Sequence, residues 1–315
     1  MPQYLPWQKL HKITITTVLH KKGDKMKQNR KEIRSIKNKD EAVAGIVVAV
    51  MIVGLVLAVV SIVQTIYVPK WMESREAEHM GVVSDQFSQL KFAIDSQIAL
   101  KENAPISASI TLGSRELGFF MSNKAFGRLA LISNGWAYRI TRTLGDTYED
   151  NFGILRYTSE NAYYLNQAYN YEIGGIILNQ TQGSVFIIKP EFSVIYNTTI
   201  RQADLSLTCI DLVPNEEKVS ISGYGTYPVR TEYLTSTNNT ITLVKTLTII
   251  TQFPGLWFNF LNSSLSNAHL VKNTDYALTK SSNQVTVTII EPLTANLDLK
   301  KITISTQITP GWSDS

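Results

Sequence analysis

The chain has a single cysteine in 315 residues. Cys209 therefore has no intramolecular partner, which excludes a disulfide framework and any cysteine-based metal site. In Leu207-Thr208-Cys209-Ile210 it reads as a strand residue rather than a nucleophile. Histidine is nearly as scarce, at four. Beyond residue 41 only His79 and His269 remain, too few for a multi-histidine zinc centre. His269 could meet a Ser and an Asp, but those partners are so common in a β domain that the pairing carries no weight. No glycine loop leads into a helix with a Lys. Ser222-Gly223-Tyr224-Gly225-Thr226 and Gly174-Gly175 thus read as turns or bulges, not phosphate cradles. Asp146, Glu149 and Asp150 make the densest acidic loop. Calcium through oxygen ligands is open to it, and a solvated loop is the plainer reading. No catalytic residue, cofactor site or metal ligand is expected, and the chain does not read as an enzyme.

Charge is missing from one long stretch. Residues 42–68, AVAGIVVAVMIVGLVLAVVSIVQTIYV, carry none across 27 positions. A helix crossing the hydrocarbon core needs about 20 apolar residues, and only Ser61, Gln64 and Thr65 interrupt this run. A membrane-spanning helix in the lipid bilayer is expected. A secretory signal has an apolar region of about 7–15 residues and a small-x-small cleavage site. Val68-Pro69-Lys70-Trp71 offers no such site, so the helix is expected to stay in the mature protein.

Charge also sets the orientation. Residues 1–40 hold eleven Lys or Arg against Asp24, Glu32 and Asp40, a net of +8, while the whole chain is +4. The remainder therefore carries −4. The positive-inside rule keeps the basic leader, residues 1–41, in the cytoplasm and sends the rest outside. Beside a spanning helix, topology explains the basic tail better than nucleic-acid or acidic-lipid binding does, so no nucleic-acid partner is expected. Met26 opens a conventional lead-in, MKQNRKEIRSIKNKD. The residues before it read either as an extension ahead of a true start at Met26 or as cytoplasmic tail.

Pro69 lacks an N–H and crowds the preceding turn, so it should end or kink the span. Tyr67 and Trp71 stand where an interfacial aromatic belt would lie. Residues 69–104 then turn amphipathic: Met72, His79, Val83, Phe87, Leu90, Ile94 and Ile98 mostly step by three or four. This stripe should lie against the domain that follows. From residue 105 to 308 short runs rich in Val, Ile, Thr and Tyr alternate with Gly, Asn, Pro and Ser. Helical exceptions are expected at SENAYYLNQA (159–168) and FNFLNSSLSNA (258–268). A sub-boundary is placed near residues 214–217, and residues 309–315 read as a tail. The fold class is α+β: a long N-terminal helix, transmembrane then amphipathic, followed by an antiparallel, sandwich-like β domain.

Four glycosylation patterns occur, at Asn179, Asn197, Asn238 and Asn262, about as many as composition alone produces. Small residues Ala42, Gly45, Ala49 and Gly54 would let helices approach closely, with Gly45-x-x-x-Ala49 matching small-xxx-small.

The leader followed by Asp40-Glu41-Ala42-Val43-Ala44-Gly45-Ile46-Val47, one apolar helix, an amphipathic helix and a β domain resembles a type IV pilin-like protein, closest to the archaeal kind. Tyr171-Glu172-Ile173-Gly174-Gly175-Ile176-Ile177 and Ser184-Val185-Phe186-Ile187-Ile188-Lys189-Pro190 also resemble archaeal pilin-like membrane proteins. The resemblance implies cleavage by a prepilin-type peptidase near Lys39, Asp40 and Glu41, and bundling with other pilin-like subunits in a filament core. Lys39-Asp40-Glu41 departs from the family in lacking the Gly or Ala that often precedes the cut. The implied function is a structural or assembly component of a cell-surface filament or envelope. The alternative is an anchored receptor or adhesin that does not polymerise, using tyrosines such as Tyr163, Tyr164, Tyr169 and Tyr171.

Overall fold

Helix α1 (Gln8–Ile62) runs from the basic leader into the apolar segment, and α2 (Val68–Leu100) follows it. Between them lies a five-residue π-turn, Val63–Tyr67, just ahead of Pro69. A wider turn there fits the proline, whose ring would otherwise crowd the carbonyl four residues back. The computed structural model describes residues 8–101, 103–113, 125–215 and 219–308, with side chains described from residue 22 except 33–42. The side chains of Lys39, Asp40, Glu41 and Ala42 thus lie outside the described residues, as do Glu216, Glu217 and the tail at 309–315. By internal contacts the chain forms two units, Met1–Val68 and Pro69–Ser315.

In the first unit, the apolar stretch is long and apolar enough to cross a membrane, and none of its most apolar window is buried. A Cβ placed on Gly45 or Gly54 would meet nothing within 4 Å. An α-helix turns about 100° per residue. Ala49 therefore falls on the face of Gly45, while Gly54 falls on the opposite side. The small residues do not make one stripe.

The second unit is mostly β-sheet. Its strands are β1 (Ile106–Thr111), β2 (Phe126–Arg142), β3 (Thr147–Glu160), β4 (Gln167–Glu172), β5 (Gly175–Gln180) and β6 (Gly183–Ile188). There follow β7 (Phe192–Asn197), β8 (Gln202–Pro214), β9 (Ser220–Gly223), β10 (Thr226–Ile241) and β11 (Val244–Ile250). Helix α3 (Pro254–Asn267) precedes β12 (Tyr276–Lys280), β13 (Gln284–Ile289) and β14 (Thr294–Ile308). One sheet runs β1-β10-β14-β8-β7; the other runs β12-β13-β11-β2-β3-β4-β5-β6, with β9 added beside β2.

Pairing is antiparallel except between β14 and β8, which run parallel from Thr294↔Gln202 to Thr306↔Pro214. Parallel neighbours need a long crossover, and the excursion through β9–β13 and α3 supplies it. The strands on either side of residues 214–217 belong to one unit, with Asn215 N–H still donating to the Thr306 carbonyl at 3.1 Å.

Of the stripe on α2, Met72, His79, Val83, Phe87, Leu90 and Ile94 are buried and Ile98 is half-buried. Val83, Phe87, Leu90 and Ile94, joined by Met80, share a core with Ile110, Leu129, Tyr157, Tyr169, Tyr171 and Ile304. A second core gathers Trp136, Phe152, Leu207, Cys209, Leu247 and the α3 residues Trp257, Leu261 and Leu265. Strands β3 and β8, from different sheets, meet at Gly153. Its N–H donates to Asp211 Oδ1 at 2.8 Å, and a Cβ there would collide with the Leu212 carbonyl.

The 159–168 segment is not a helix. It holds the end of β3, a loop and the start of β4. The buried Glu76 carboxylate of α2 accepts the N–H groups of Ala162, Tyr163 and Tyr164 at 3.1, 2.8 and 2.6 Å. Those bonds satisfy a loop backbone that would otherwise want a helical turn. The helix expected at 258–268 is present and begins four residues earlier, at Pro254.

A candidate anion cleft beside the third helix

Strand β4 is buried on both faces, and its two faces do different things. Tyr169 and Tyr171 enter the core beneath α2. Ala168, Asn170 and Glu172, two apart along the strand, face the other way. Ala168 and Asn170, with Arg156 and Thr158 of β3, Asn179 of β5 and Ser184 of β6, floor a cleft of about 680 Å³. Its wall is Gln252, Phe253, the first turn of α3, Asn259, and Lys280 at the end of β12.

Glu172 sits behind this cleft with no exposed surface. Its Oε1 accepts the Trp257 indole N–H at 2.8 Å and the Thr251 hydroxyl at 2.9 Å. Oε2 has no partner among the described residues. Burial pushes its pKa up to about 7; the two hydrogen bonds and the Arg156 charge pull the other way. These bonds clamp the start of α3 over β4. Trp257 is further held by Trp136, Phe186 and Phe260, at ring separations of 5.8, 5.6 and 5.6 Å.

Arg156 is half-buried. Its Nε donates to Asn170 Oδ1 and its Nη2 to Gln252 Oε1, both at 2.6 Å. Among the described residues it forms no salt bridge. Burial lowers its pKa, partly offset by the Glu172 charge. Asn170 is fully buried, and with its oxygen taken by Arg156 its Nδ2 has no partner. Phe253, at the N-cap of α3, supplies no side-chain cap. The N–H groups of Gly255 and Leu256 are thus left to other acceptors. Lys280 Nζ lies 3.9 Å from where a Gly255 Cβ would stand.

The residues singled out in the sequence lie elsewhere, with one exception. Asn179 lines the cleft, and its Oδ1 accepts the Ser184 hydroxyl at 2.8 Å. Asn262 is half-buried in α3 and accepts the Tyr276 hydroxyl at 3.2 Å. Asn197 and Asn238 are exposed. Asp146 pairs with Arg142, Glu149 with Arg139 and Asp150 with Lys301. Among the described residues, no three or more His, Cys, Asp or Glu side chains cluster as a metal site would require. His79 is buried at Thr111, with Nε2 3.0 Å from its carbonyl, and burial lowers its pKa. Cys209 is buried in β8, its thiol pushed well up by desolvation.

Sequence reasoning missed Arg156, Asn170 and Lys280. The available signal was weak: polar residues interleaved with tyrosines in Gln167–Glu172 mark a strand buried on both faces. Comparison with protein families, with curated proteins and with solved structures gives no match.

Proposed function

We propose that this chain is a single-pass membrane protein of type IV pilin-like build, a structural or assembly component of a cell-surface filament or envelope. The observation that carries the reading is the apolar stretch with none of its most apolar window buried, in a chain whose other unit is separately folded. Apolar surface on that scale needs lipid or other helices around it. The basic leader, with a net charge of +8 over residues 1–40, stays in the cytoplasm, and the β domain, sandwich-like where β3 meets β8, stands outside. The face bearing Gly45 and Ala49 is where a neighbouring helix would approach.

The test is the N-terminus of the mature protein isolated from membranes. A start at Asp40, Glu41 or Ala42 supports pilin-like processing. An intact Met1 or Met26 terminus overturns it in favour of a simple anchor carrying a surface binding module.

A further inference from the structure

We propose that the cleft between β3–β6 and the first turn of α3 binds an anionic saccharide, a hydroxyl-rich ring carrying a carboxylate or a phosphate. The site belongs to the β domain and does not depend on whether the apolar helix enters a filament.

Three features converge there. Arg156 and Lys280 have no carboxylate within salt-bridge distance among the described residues, and both line the cleft. The start of α3 adds a partial positive charge of about half a unit and two free N–H groups. The third feature is independent of charge: Asn170, fully buried at the cleft floor, holds Nδ2 without an acceptor. A buried donor with no partner is costly unless a ligand or water fills the position.

The cleft is rich in donors and short of negative charge. The amide oxygens of Asn170, Gln252 and Asn179 are engaged by Arg156 Nε, Arg156 Nη2 and Ser184 Oγ. The amide nitrogens of Asn179 and Gln252 make no hydrogen bond among the described residues. These free donors favour an occupant that brings acceptors together with its charge. Bare phosphate would fill only part of about 680 Å³. A sugar ring fits the spread of donors, its anionic group at Arg156, Lys280 and the α3 N–H groups and its hydroxyls along Asn170, Asn179, Ser184 and Asn259. Glu172, held by Trp257 and Thr251, positions the start of α3 and does not itself line the cleft.

Binding to the full chain in detergent is measured by calorimetry with four probes: D-glucuronate, glucose 6-phosphate, glucose and inorganic phosphate. At least one of the two charged sugars should bind ten-fold or more tighter than both glucose and phosphate, and which one does so identifies the anionic group. Lys280→Glu, on an exposed side chain, should weaken that sugar at least ten-fold with an unchanged melting temperature. Arg156→Gln should weaken it further, and Lys245→Glu, exposed on β11 away from the cleft, should leave it unaltered. Phosphate binding as tightly as either sugar, binding insensitive to Lys280→Glu, or no binding by any probe would each overturn the proposal.

Discussion

The indole N–H of Trp257 donates to the buried carboxylate of Glu172 at 2.8 Å, joining α3 to β4 across more than eighty residues of chain. With Thr251 on the same oxygen, this carboxylate fixes where the helix begins and so where the cleft has its wall.

The pH response of stability should report on that carboxylate. Glu172 is raised from 4.5 to about 7 in the folded protein, so folding favours its protonated form. The resulting stabilisation is complete below about pH 4.5 and is lost as pH rises through about 7, amounting to roughly 3 kcal/mol. Glu172→Gln should remove this part of the slope and be relatively more stable at pH 8 than at pH 5. Urea unfolding of both proteins across that range is the check; an unchanged slope in the variant would assign it to other groups.

Glu76 holds the loop before β4 through three backbone N–H groups. Glu76→Ala should leave them unsatisfied and lower stability by roughly 2–4 kcal/mol. Glu76→Gln keeps one acceptor oxygen and should lose less. Hydrogen exchange at Ala162–Tyr164 separates a local from a global effect, with faster exchange expected there first.

Phe87 is fully buried on α2, its ring 5.7 Å from Tyr169. Phe87→Ala should destabilise the second unit by about 3–5 kcal/mol. Phe92, on the other face of the helix and largely exposed, should tolerate Phe92→Ala with less than about 0.5 kcal/mol of change. Equal losses at the two positions in thermal unfolding would contradict the packing of the helix stripe.

Gly153 allows β3 to close on β8. Gly153→Ala places a methyl group into the Leu212 carbonyl, a backbone atom that cannot swing aside. A loss of roughly 1–3 kcal/mol or more is expected, together with weakened protection of the Gly153 amide that donates to Asp211.

The apolar span and the α2 stripe were legible because each keeps its pattern within one helix. The alternating strands and the helix near residue 258 were legible for the same reason. The 159–168 loop was not, because Glu76, the group that holds it, lies more than eighty residues earlier. The parallel β8–β14 pair was hidden too, since register across a long crossover leaves no local mark. The cleft was illegible for a further reason. Arg156, Asn170 and Lys280 meet only through the sheet order, and in β4 the alternation of tyrosines with Asn170 and Glu172 does not reveal a solvent-facing side, because both faces are buried.

In the proposed topology the apolar helix divides a cytoplasmic leader from an external β domain. Cys209, the one native cysteine, is fully buried, so a cysteine introduced at an exposed site can be read against a quiet background. Asn238→Cys and Asn197→Cys, labelled with a membrane-impermeant maleimide on intact cells, should react without permeabilisation. Labelling of both only after the membrane is opened would place the β domain inside and contradict the account.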